Sequence, residues 1–288
     1  MICDLGKKLG QKVMLRSDGT SVYITQDLGT TLKKFADYHP DSMIWVVGDE
    51  QIWHFQVLFG VLKKLGYPWA DQLYHLAYGM VNLPSGKMKS REGTVVDADN
   101  LFAEMSDLAF AGCRERNSAG EPDDVLRRRA DIIGMGALKF MLLKFNPKTT
   151  MMFDPQSSIK FEGDTGPYVQ YACVRIHSIL RKAEAAGLDY SAPDWGLLSA
   201  KAEKNLAIMA AFYPVQLQMA AEKLDCSVVV EYLLNMAKAF NQFYRECPVL
   251  AGDVPDDLKK ARLALAASVL KVLEDGLATL TIGIPDAM

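Results

Sequence analysis

The stretch Met43-Ile44-Trp45-Val46-Val47-Gly48-Asp49 decides the fold of the first half of the chain. Its five consecutive apolar residues are too few for a buried helix, and the glycine after them ends the run. A short apolar run is typical of a strand in a parallel sheet, because helices cover both faces of such a sheet. We therefore predict a buried parallel strand at residues 43–47, followed by a helix.

The segments on either side alternate between strand and helix patterns. Residues 21–24 are interpreted as a short strand, and the spacing of apolar residues over 25–36 predicts a helix. After the central strand, a second helix ends at Gly66 and a further strand runs from Tyr74 to Val81. Strand, helix and strand in this order predict a βαβ unit. The apolar stripe of the second helix consists of Ile52, Phe55, Phe59 and Leu62.

The remainder of the chain has helical patterns. A nearly all-apolar helix is predicted over residues 131–145, and residues 155–166 are interpreted as irregular. From Pro167 onward the periodicity predicts about four long helices, the clearest at 227–246 and the last at 256–280. The predicted fold is an α/β domain over residues 1–160, followed by an all-α domain over residues 161–288.

Composition excludes several classes of protein. The chain has 288 residues, of which 50% are apolar and 23% charged, and this apolar content is too high for a disordered chain. The formal net charge of −3 excludes a strongly basic protein that binds nucleic acid without preference. No uninterrupted apolar run reaches the length of a membrane helix, and the first residues lack the apolar segment of a signal peptide, so we expect neither.

The five cysteines are far apart in the sequence. No two of them form the closely spaced pair that is typical of a structural zinc site, so no zinc is expected. Dispersed thiols are typical of a reducing compartment, and we predict a cytoplasmic protein. The cysteines are Cys3, Cys113, Cys173, Cys226 and Cys247.

A cationic loop follows the last predicted strand. Within Lys87-Met88-Lys89-Ser90-Arg91, three cations occupy five residues, with a glycine on each side. Such a loop can fold over a polyphosphate and neutralise the charge that accumulates during nucleotidyl transfer. By composition alone, a solvated surface loop explains the same residues.

Tyr23 and Asp27 are four residues apart. If a helix begins at Tyr23, both side chains share one face. A phenol and a carboxylate that converge on a cavity suit a cationic ligand, because a carboxylate binds a guanidinium through two hydrogen bonds. An N-cap or an ordinary exposed acid is the alternative interpretation of Asp27.

The residues after the central strand form a third candidate site. Ligands of open α/β sheets bind at the carboxyl ends of the strands, and Gly48 permits a close approach of the backbone there. The amides at the helix N-terminus, with Asp49 beside them and His54 one turn further on, could meet a ribose or a phosphate. The alternative for His54 is an ordinary packed helix residue.

A fourth candidate site lies at the start of the helical half. Turn residues at 163–167 lead into a helix that places Tyr168, Tyr171 and Arg175 on one face. Aromatic rings and an arginine can stack on splayed RNA bases. A capped helix packed between domains is the alternative.

Together and in this order, these stretches resemble the arginyl-tRNA synthetase family, which belongs to the class I aminoacyl-tRNA synthetases. The resemblance covers essentially the whole chain and is most specific at residues 16–27, 87–93 and 163–175. Residues 241–244 and 261–265 are similar to the helical anticodon-binding domain of the family. The resemblance implies a partial Rossmann-like nucleotide-binding domain followed by an all-α anticodon-binding helical bundle.

The resemblance also implies roles for individual residues. The arginine substrate would be bound by Tyr23, Asp27 and Gln51. The ATP-binding residues would be Gly48, Asp49, His54, Lys87 and Met88, and the catalytic residues would be Lys87 and Arg91. The tRNA-binding residues would be Tyr168, Tyr171, Arg175 and Tyr244.

The implied activity is that of an arginine–tRNA ligase with two steps. ATP, accompanied by Mg²⁺, activates arginine as an adenylate, and the arginyl group then passes to tRNA(Arg). The implied partners are L-arginine and tRNA(Arg), with no membrane, and we expect a monomer. Asp27 would give specificity, because a neutral substrate side chain would leave its carboxylate unpaired.

Two features depart from the pattern of the family. In the loop that resembles the KMSKS signature, Ser90 stands where the signature has its second lysine, and Lys89 stands where it has a serine. None of the four histidines lies in a stretch that resembles the HIGH signature. We therefore expect a chain that corresponds to the C-terminal half of the family and does not aminoacylate tRNA alone. One alternative is a non-catalytic tRNA anticodon-binding module derived from a class I synthetase. Another is a class I synthetase for a different amino acid, such as cysteine, whose enzymes use zinc.

Overall fold

The computed structural model describes residues 1–82 and 97–288. Contacts divide the chain into two compact units, one formed by residues 1–80 and 147–151 and the other by 81–146 and 152–288. The strands are β1 (Ile2–Asp4), β2 (Gln11–Val13), β3 (Met43–Gly48), β4 (Leu73–Tyr78), β5 (Val81–Asn82) and β6 (Met151–Met152). The helices are α1 (Gly6–Leu9), α2 (Tyr23–Tyr38), α3 (Ile52–Lys64), α4 (Ala98–Glu115), α5 (Asp123–Leu143), α6 (Pro155–Ser158), α7 (Gly166–Ala185), α8 (Lys201–Ala211), α9 (Tyr213–Lys223), α10 (Ser227–Glu246) and α11 (Asp256–Thr279).

The first unit is built around a parallel pair of strands. β3 and β4 run in register from Met43 opposite Leu73 to Gly48 opposite Tyr78, and α3 lies between them in the chain. This arrangement confirms the predicted βαβ unit. The predicted apolar stripe of α3 is wrong at Ile52, which is exposed because it stands at the first position of the helix, beyond the packed turns. The core of the unit includes Ile24, Leu28, Phe35, Phe55, Leu58, Leu62 and Leu73.

Described residues cover one face of this sheet more fully than the other. The Trp45 ring packs against the rings of Phe55 and Phe59 in α3, at centroid distances of 5.8 and 5.2 Å. On the opposite face, Ile44 is 43% and Val46 is 64% exposed. The prediction of a fully buried strand is therefore wrong, because alternate residues of β3 point away from α3.

The predicted strand at residues 21–24 is wrong. Tyr23 and Ile24 lie in the first turn of α2, and Ser21 forms an isolated bridge. Ile24 is buried at helical spacing before Leu28, so the apolar period of the helix begins at Ile24. Burial of that apolar face makes a helix of 16 residues more stable than a strand of four residues at this position.

The predicted strand from Tyr74 to Val81 is interrupted. β4 ends at Tyr78, and the next residue, Gly79, donates its N–H to the carbonyl oxygen of Pro147 instead of to a strand. A Cβ atom at Gly79 would lie 2.5 Å from the carbonyl carbon of Thr149. Only glycine permits this close approach of two backbone segments.

Two long helices, α4 and α5, pack against each other in the second unit. The sequence analysis does not predict α4, and it places the start of α5 at Asp131. The helix begins earlier, at Asp123, because Asp123 and Asp124 provide negative charge at its N-terminus. Within the predicted irregular segment 155–166, the short helix α6 is capped by Asp154.

Five helices, α7 to α11, complete the second unit, where about four are predicted. The additional helix arises because the chain divides into α8 and α9 at Phe212, where Pro214 lacks the N–H needed to continue a helix. The bounds of α10 confirm the prediction, and α11 ends one residue before its predicted end. The core includes Ala172, Cys173, Leu233, Phe240 and Leu273. No helix within 1–82 or 97–288 is both long and apolar enough to span a membrane.

Candidate functional site

The carboxyl end of β3 brings together two predicted site residues. Asp27 lies on α2, and His54 lies in the first turn of α3. The distance between His54 Nε2 and Asp27 Oδ2 is 2.6 Å, and the side chains are 24% and 49% exposed. The resemblance assigns the two residues to different ligands, whereas the structure joins them as one hydrogen-bonded pair. The pair lies partly exposed to solvent on the first unit.

Packed rings hold the backbone next to this pair. Phe55, which follows His54 in α3, packs its ring 4.3 Å from the ring of His75. The Nε2 atom of His75 lies 3.0 Å from the carbonyl oxygen of Val47, one residue before the end of β3. His75 was not a candidate in the sequence analysis, and its regular position within a strand gave no signal of this role.

Tyr23 and Gln51, the other predicted arginine-binding residues, are close in sequence to Asp27 and His54 but do not hydrogen-bond to Asp27 in the described part of the chain. Tyr23 lies one helical turn before Asp27, as the four-residue spacing predicts, and is 84% exposed. After Gly48, Asp49 and Gln51 lie in one 3₁₀ turn that precedes α3. Neither Tyr23 nor Gln51 hydrogen-bonds to Asp27 within the part of the chain that the structure describes.

The predicted phosphate-binding and catalytic residues Lys87, Met88 and Arg91 lie outside the described residues. Over residues 1–82 and 97–288, no group of three or more His, Cys, Asp or Glu side chains is placed to hold a metal ion.

The second unit contains the predicted tRNA-binding residues in one cluster. Arg175 Nη2 donates a hydrogen bond to the Tyr171 hydroxyl at 2.8 Å, and Nη1 donates to Asn241 Oδ1 at 3.0 Å. The Arg175 guanidinium lies 4.6 Å from the ring centroid of Tyr171 and 5.4 Å from that of Tyr244. Asn241 Nδ2 in turn donates to the Tyr168 hydroxyl at 2.8 Å.

Asn241 is the residue that connects this cluster, and the sequence analysis did not include it among the site residues. It lies on α10, whereas Tyr168, Tyr171 and Arg175 lie on α7, so its side-chain amide hydrogen-bonds to two residues of the neighbouring helix. Its place beside Phe243 and Tyr244 in a family-like stretch was the available signal. The cluster forms a fixed cationic and aromatic surface, and Tyr244 exposes 41% of its area.

Ion pairs with two lysines hold Asp164 just before α7. The Asp164 carboxylate accepts a hydrogen bond from Lys238 Nζ at 2.6 Å and lies 3.5 Å from Lys144 Nζ. The hydrogen bond from Lys238, together with the charge of Lys144, holds the pKa of Asp164 below its ordinary value. Thr165 caps the helix by accepting from the Tyr168 N–H at 3.3 Å. These contacts connect the start of α7 to Lys238 of α10 and to Lys144.

Two family descriptions match the chain in consecutive segments. The description "tRNA synthetases class I (R), catalytic domain" matches residues 1–155, and "DALR anticodon binding domain" matches residues 169–288. The class defined by these matches is that of the class I tRNA synthetases. The first match covers more than half of the chain. The chain belongs to the arginine-specific family of this class, the arginyl-tRNA synthetases.

Curated relatives and solved structures agree with this assignment. The chain is 47% identical over 274 residues to an arginine–tRNA ligase of Treponema denticola, covering 94% of this chain and 46% of that protein. It is 46% identical over 286 residues to an arginine–tRNA ligase of Bacteroides fragilis, covering 97% and 47%. The arginyl-tRNA synthetase structure of Thermus thermophilus superposes with a TM-score of 0.88 at 29% identity, over 100% of this chain and 53% of that one. The chain thus spans about half the length of the curated relatives it matches. The predicted fold class is confirmed, whereas the boundary between residues 160 and 161 stays a prediction.

Proposed function

We propose that the chain takes part in arginine–tRNA ligation, the ATP-dependent activation of arginine and its transfer to tRNA(Arg). The observation that carries the proposal is the Asp27–His54 pair at the carboxyl end of β3. Ligands of open α/β sheets bind at this position. Relatives named arginine–tRNA ligases match the same part of the chain.

Asp27 would select the substrate by charge. With Oδ2 held by His54, Oδ1 remains for an N–H of the guanidinium. Tyr23 and Gln51 would add polar or cation–π contacts on either side. A substrate with a neutral side chain would leave the carboxylate desolvated without a charged partner, at a cost of about 1–3 kcal/mol.

ATP would bind beside this site. Gly48, Asp49 and the first turn of α3 would approach the nucleotide, with Mg²⁺ carried by the triphosphate. Lys87, Met88 and Arg91, which lie outside the described residues, would contact the phosphates. Their cations would stabilise the charge that develops when the arginine carboxylate attacks the α-phosphate and pyrophosphate leaves.

The helical half would bind the anticodon region of tRNA(Arg). The surface around Arg175 offers the planar cation and aromatic rings on which unpaired bases stack. The overall charge is close to neutral, so recognition would depend on these local contacts. We further propose a cytoplasmic monomer.

Calorimetric titration with arginine and with citrulline, its neutral isostere, tests the substrate. We expect the 288-residue chain to bind arginine at least about tenfold more tightly than citrulline, because only arginine pairs with the Asp27 carboxylate. Asp27→Asn should remove the preference. The matched control is Asp37→Asn, which alters another exposed acid of α2 that pairs with Lys33. Equal affinity of the unaltered chain for both ligands would contradict the proposal.

A non-catalytic tRNA-binding module is the second candidate. It is favoured by the cluster around Arg175, whose hydrogen bonds are all made within the second unit. Binding of tRNA(Arg) without any binding of arginine would support this alternative.

A further inference from the structure

The second unit contains a cavity of about 190 Å³ beside the C-terminal end of α4. Part of its wall is apolar, because Leu126 and Ile133 of α5 line it and are 1% and 0% exposed. The turn between α4 and α5 and the ring of Phe161 complete the wall. The cavity thus combines a dry apolar side with a polar opening.

This cavity is separate from the cluster around Arg175. None of the residues of that cluster lines it. Apart from residues 287 and 288, its lining lies outside the segment 169–288 that matches the anticodon-binding description. A ligand in the cavity would therefore occupy a different site from the proposed anticodon surface.

The size of the cavity limits what it can hold. A cavity of roughly 150 Å³ holds one benzene ring, and sites for drug-sized ligands begin at about 300 Å³. The volume of about 190 Å³ therefore suits a single six-membered ring with its substituents.

Arg116 provides a planar cation at the opening of the cavity. Its guanidinium lies 4.2 Å from the centroid of the Phe161 ring, and Nη1 donates to the carbonyl oxygen of Gly112 at 3.2 Å. In the described segments of the chain no carboxylate forms an ion pair with Arg116, whereas the neighbouring Arg129 is held by two carboxylates. Arg116 therefore keeps N–H donors that a ligand can use.

A hydroxyl group lies next to this cation. The Ser118 hydroxyl, at the edge of the cavity, has no hydrogen-bond partner among the residues that the structure describes. The Asn117 side chain, in contrast, is already bonded to the backbone of Glu121 at 2.9 Å through both its oxygen and its nitrogen. A hydroxyl both donates and accepts, whereas a guanidinium only donates. Together, Arg116 and Ser118 match a ring that has carbonyl and N–H groups on its edge.

We propose that the cavity binds one pyrimidine base. The ring enters the apolar side, Arg116 donates to a ring carbonyl, and the Ser118 hydroxyl pairs with a neighbouring polar group of the ring. The sugar and the phosphate stay in solvent. The base belongs either to a free nucleotide or to an unpaired nucleotide of an RNA, since both present the same ring. The inference rests on the cavity and does not depend on arginine binding or on the cluster around Arg175.

Calorimetric titration of the 288-residue chain with uridine monophosphate tests the site. The comparison ligands are ribose 5-phosphate, which lacks the base, and phenyl phosphate, which has a ring without polar groups on its edge. We expect each of them to bind at least about tenfold more weakly than uridine monophosphate, because neither fills the cavity and pairs with its polar groups.

Two substitutions locate the binding in the cavity. Arg116→Met should weaken the binding of uridine monophosphate by about tenfold, and Ser118→Ala by about threefold, because each removes a hydrogen-bonding partner of the base. The matched control is Arg114→Met, which changes another exposed arginine of α4 that does not line the cavity. All three positions are exposed, so we expect unchanged thermal unfolding of the variants.

A single-stranded oligouridylate distinguishes the two sources of the base. An RNA is the source if the oligouridylate binds more tightly than uridine monophosphate and loses this affinity in Arg116→Met, and a free nucleotide is the source if it binds no more tightly. The proposal is overturned if uridine monophosphate binds no more tightly than ribose 5-phosphate or phenyl phosphate does. It is also overturned if Arg116→Met binds uridine monophosphate as tightly as Arg114→Met does. Arginine binding is not a readout, so this proposal and the proposed function fail separately.

Discussion

Asp27 and His54, which are 27 residues apart in the sequence, form a 2.6 Å hydrogen bond between α2 and α3. With a proton on Nε2, the imidazole donates to one carboxylate oxygen and leaves the other free. The contact fixes the direction of the Asp27 side chain before any ligand arrives. Preorganisation of this kind reduces the entropy that a binding residue loses when its ligand is bound.

Loss of the imidazole should therefore weaken arginine binding without abolishing it. We expect His54→Ala to raise the Kd for arginine by about 5- to 30-fold, equivalent to about 1–2 kcal/mol, because the Asp27 carboxylate keeps its charge but loses its orienting donor. Calorimetric titration of the two proteins measures the change.

His177→Ala is the matched control for this variant. His177 Nε2 pairs with Glu274 at 2.9 Å in the second unit, so the substitution removes a similar histidine–carboxylate contact far from the site in the sequence. An arginine Kd that is the same in His54→Ala as in His177→Ala would show that the Asp27–His54 contact does not support binding.

Arg175 should contribute to tRNA binding through its shape more than its charge. Arg175→Lys retains the cation but loses the planar group that donates to Tyr171 and Asn241 and stacks on Tyr244. We expect the affinity for tRNA(Arg) to fall by about tenfold, while the salt dependence of binding stays the same because the number of charges is unchanged.

Filter binding at several salt concentrations measures both quantities. Arg181→Lys, an exposed position on the same helix, is the control and should leave the affinity unchanged. If Arg175→Lys bound tRNA(Arg) as tightly as this control does, the stacking role would be excluded.

Much of the fold follows from local sequence patterns. The strand at Met43 is predicted because its apolar run is too short for a buried helix, and the helix from Ser227 to Glu246 because its apolar residues recur at helical spacing. The prediction of a strand at residues 21–24 is wrong because such a short segment is compatible with either a strand or one turn of a helix. Ile24 is buried in the core of the folded unit, and this burial favours the helix. The local sequence pattern does not show which residues are buried in the folded protein.

The site was predictable as a set of residues but not as a set of contacts. Resemblance selected Asp27 and His54 separately, since each matches a family position, but their pairing depends on how α2 packs against α3. Asn241 was missed for the same reason, because its importance arises from bridging Tyr168 and Arg175 across two helices.

Stability at low pH should depend on Arg129. This buried guanidinium hydrogen-bonds to Glu121 and Asp286, and these hydrogen bonds are the main cause that lowers the pKa of both carboxyl groups below the ordinary value. The folded state then binds fewer protons than the unfolded state, so the stabilisation is present above the ordinary pKa values and is lost as pH falls. We expect the free energy of unfolding to decrease between about pH 5 and pH 3.

Arg129→Met should make this decrease shallower, because the two carboxyl groups then titrate at closer to their ordinary pKa values. Urea unfolding at a series of pH values gives the slope. The control is Arg128→Met, which removes the neighbouring exposed arginine and its contact with Asp124. A slope in Arg129→Met equal to that in Arg128→Met would contradict the prediction.

The approach of α4 to α5 should depend on the lack of a side chain at Gly134. A Cβ atom there would lie 2.6 Å from the backbone oxygen of Met105, which cannot move without shifting α4. We expect Gly134→Ala to destabilise the protein by about 1–3 kcal/mol, measured by urea unfolding, although alanine favours helix formation. Gly112→Ala, also in this helix pair, would meet only the flexible end of Arg116 and should be neutral or stabilising by up to about 1 kcal/mol. Equal stabilities of the two variants would show that the helices separate at little cost.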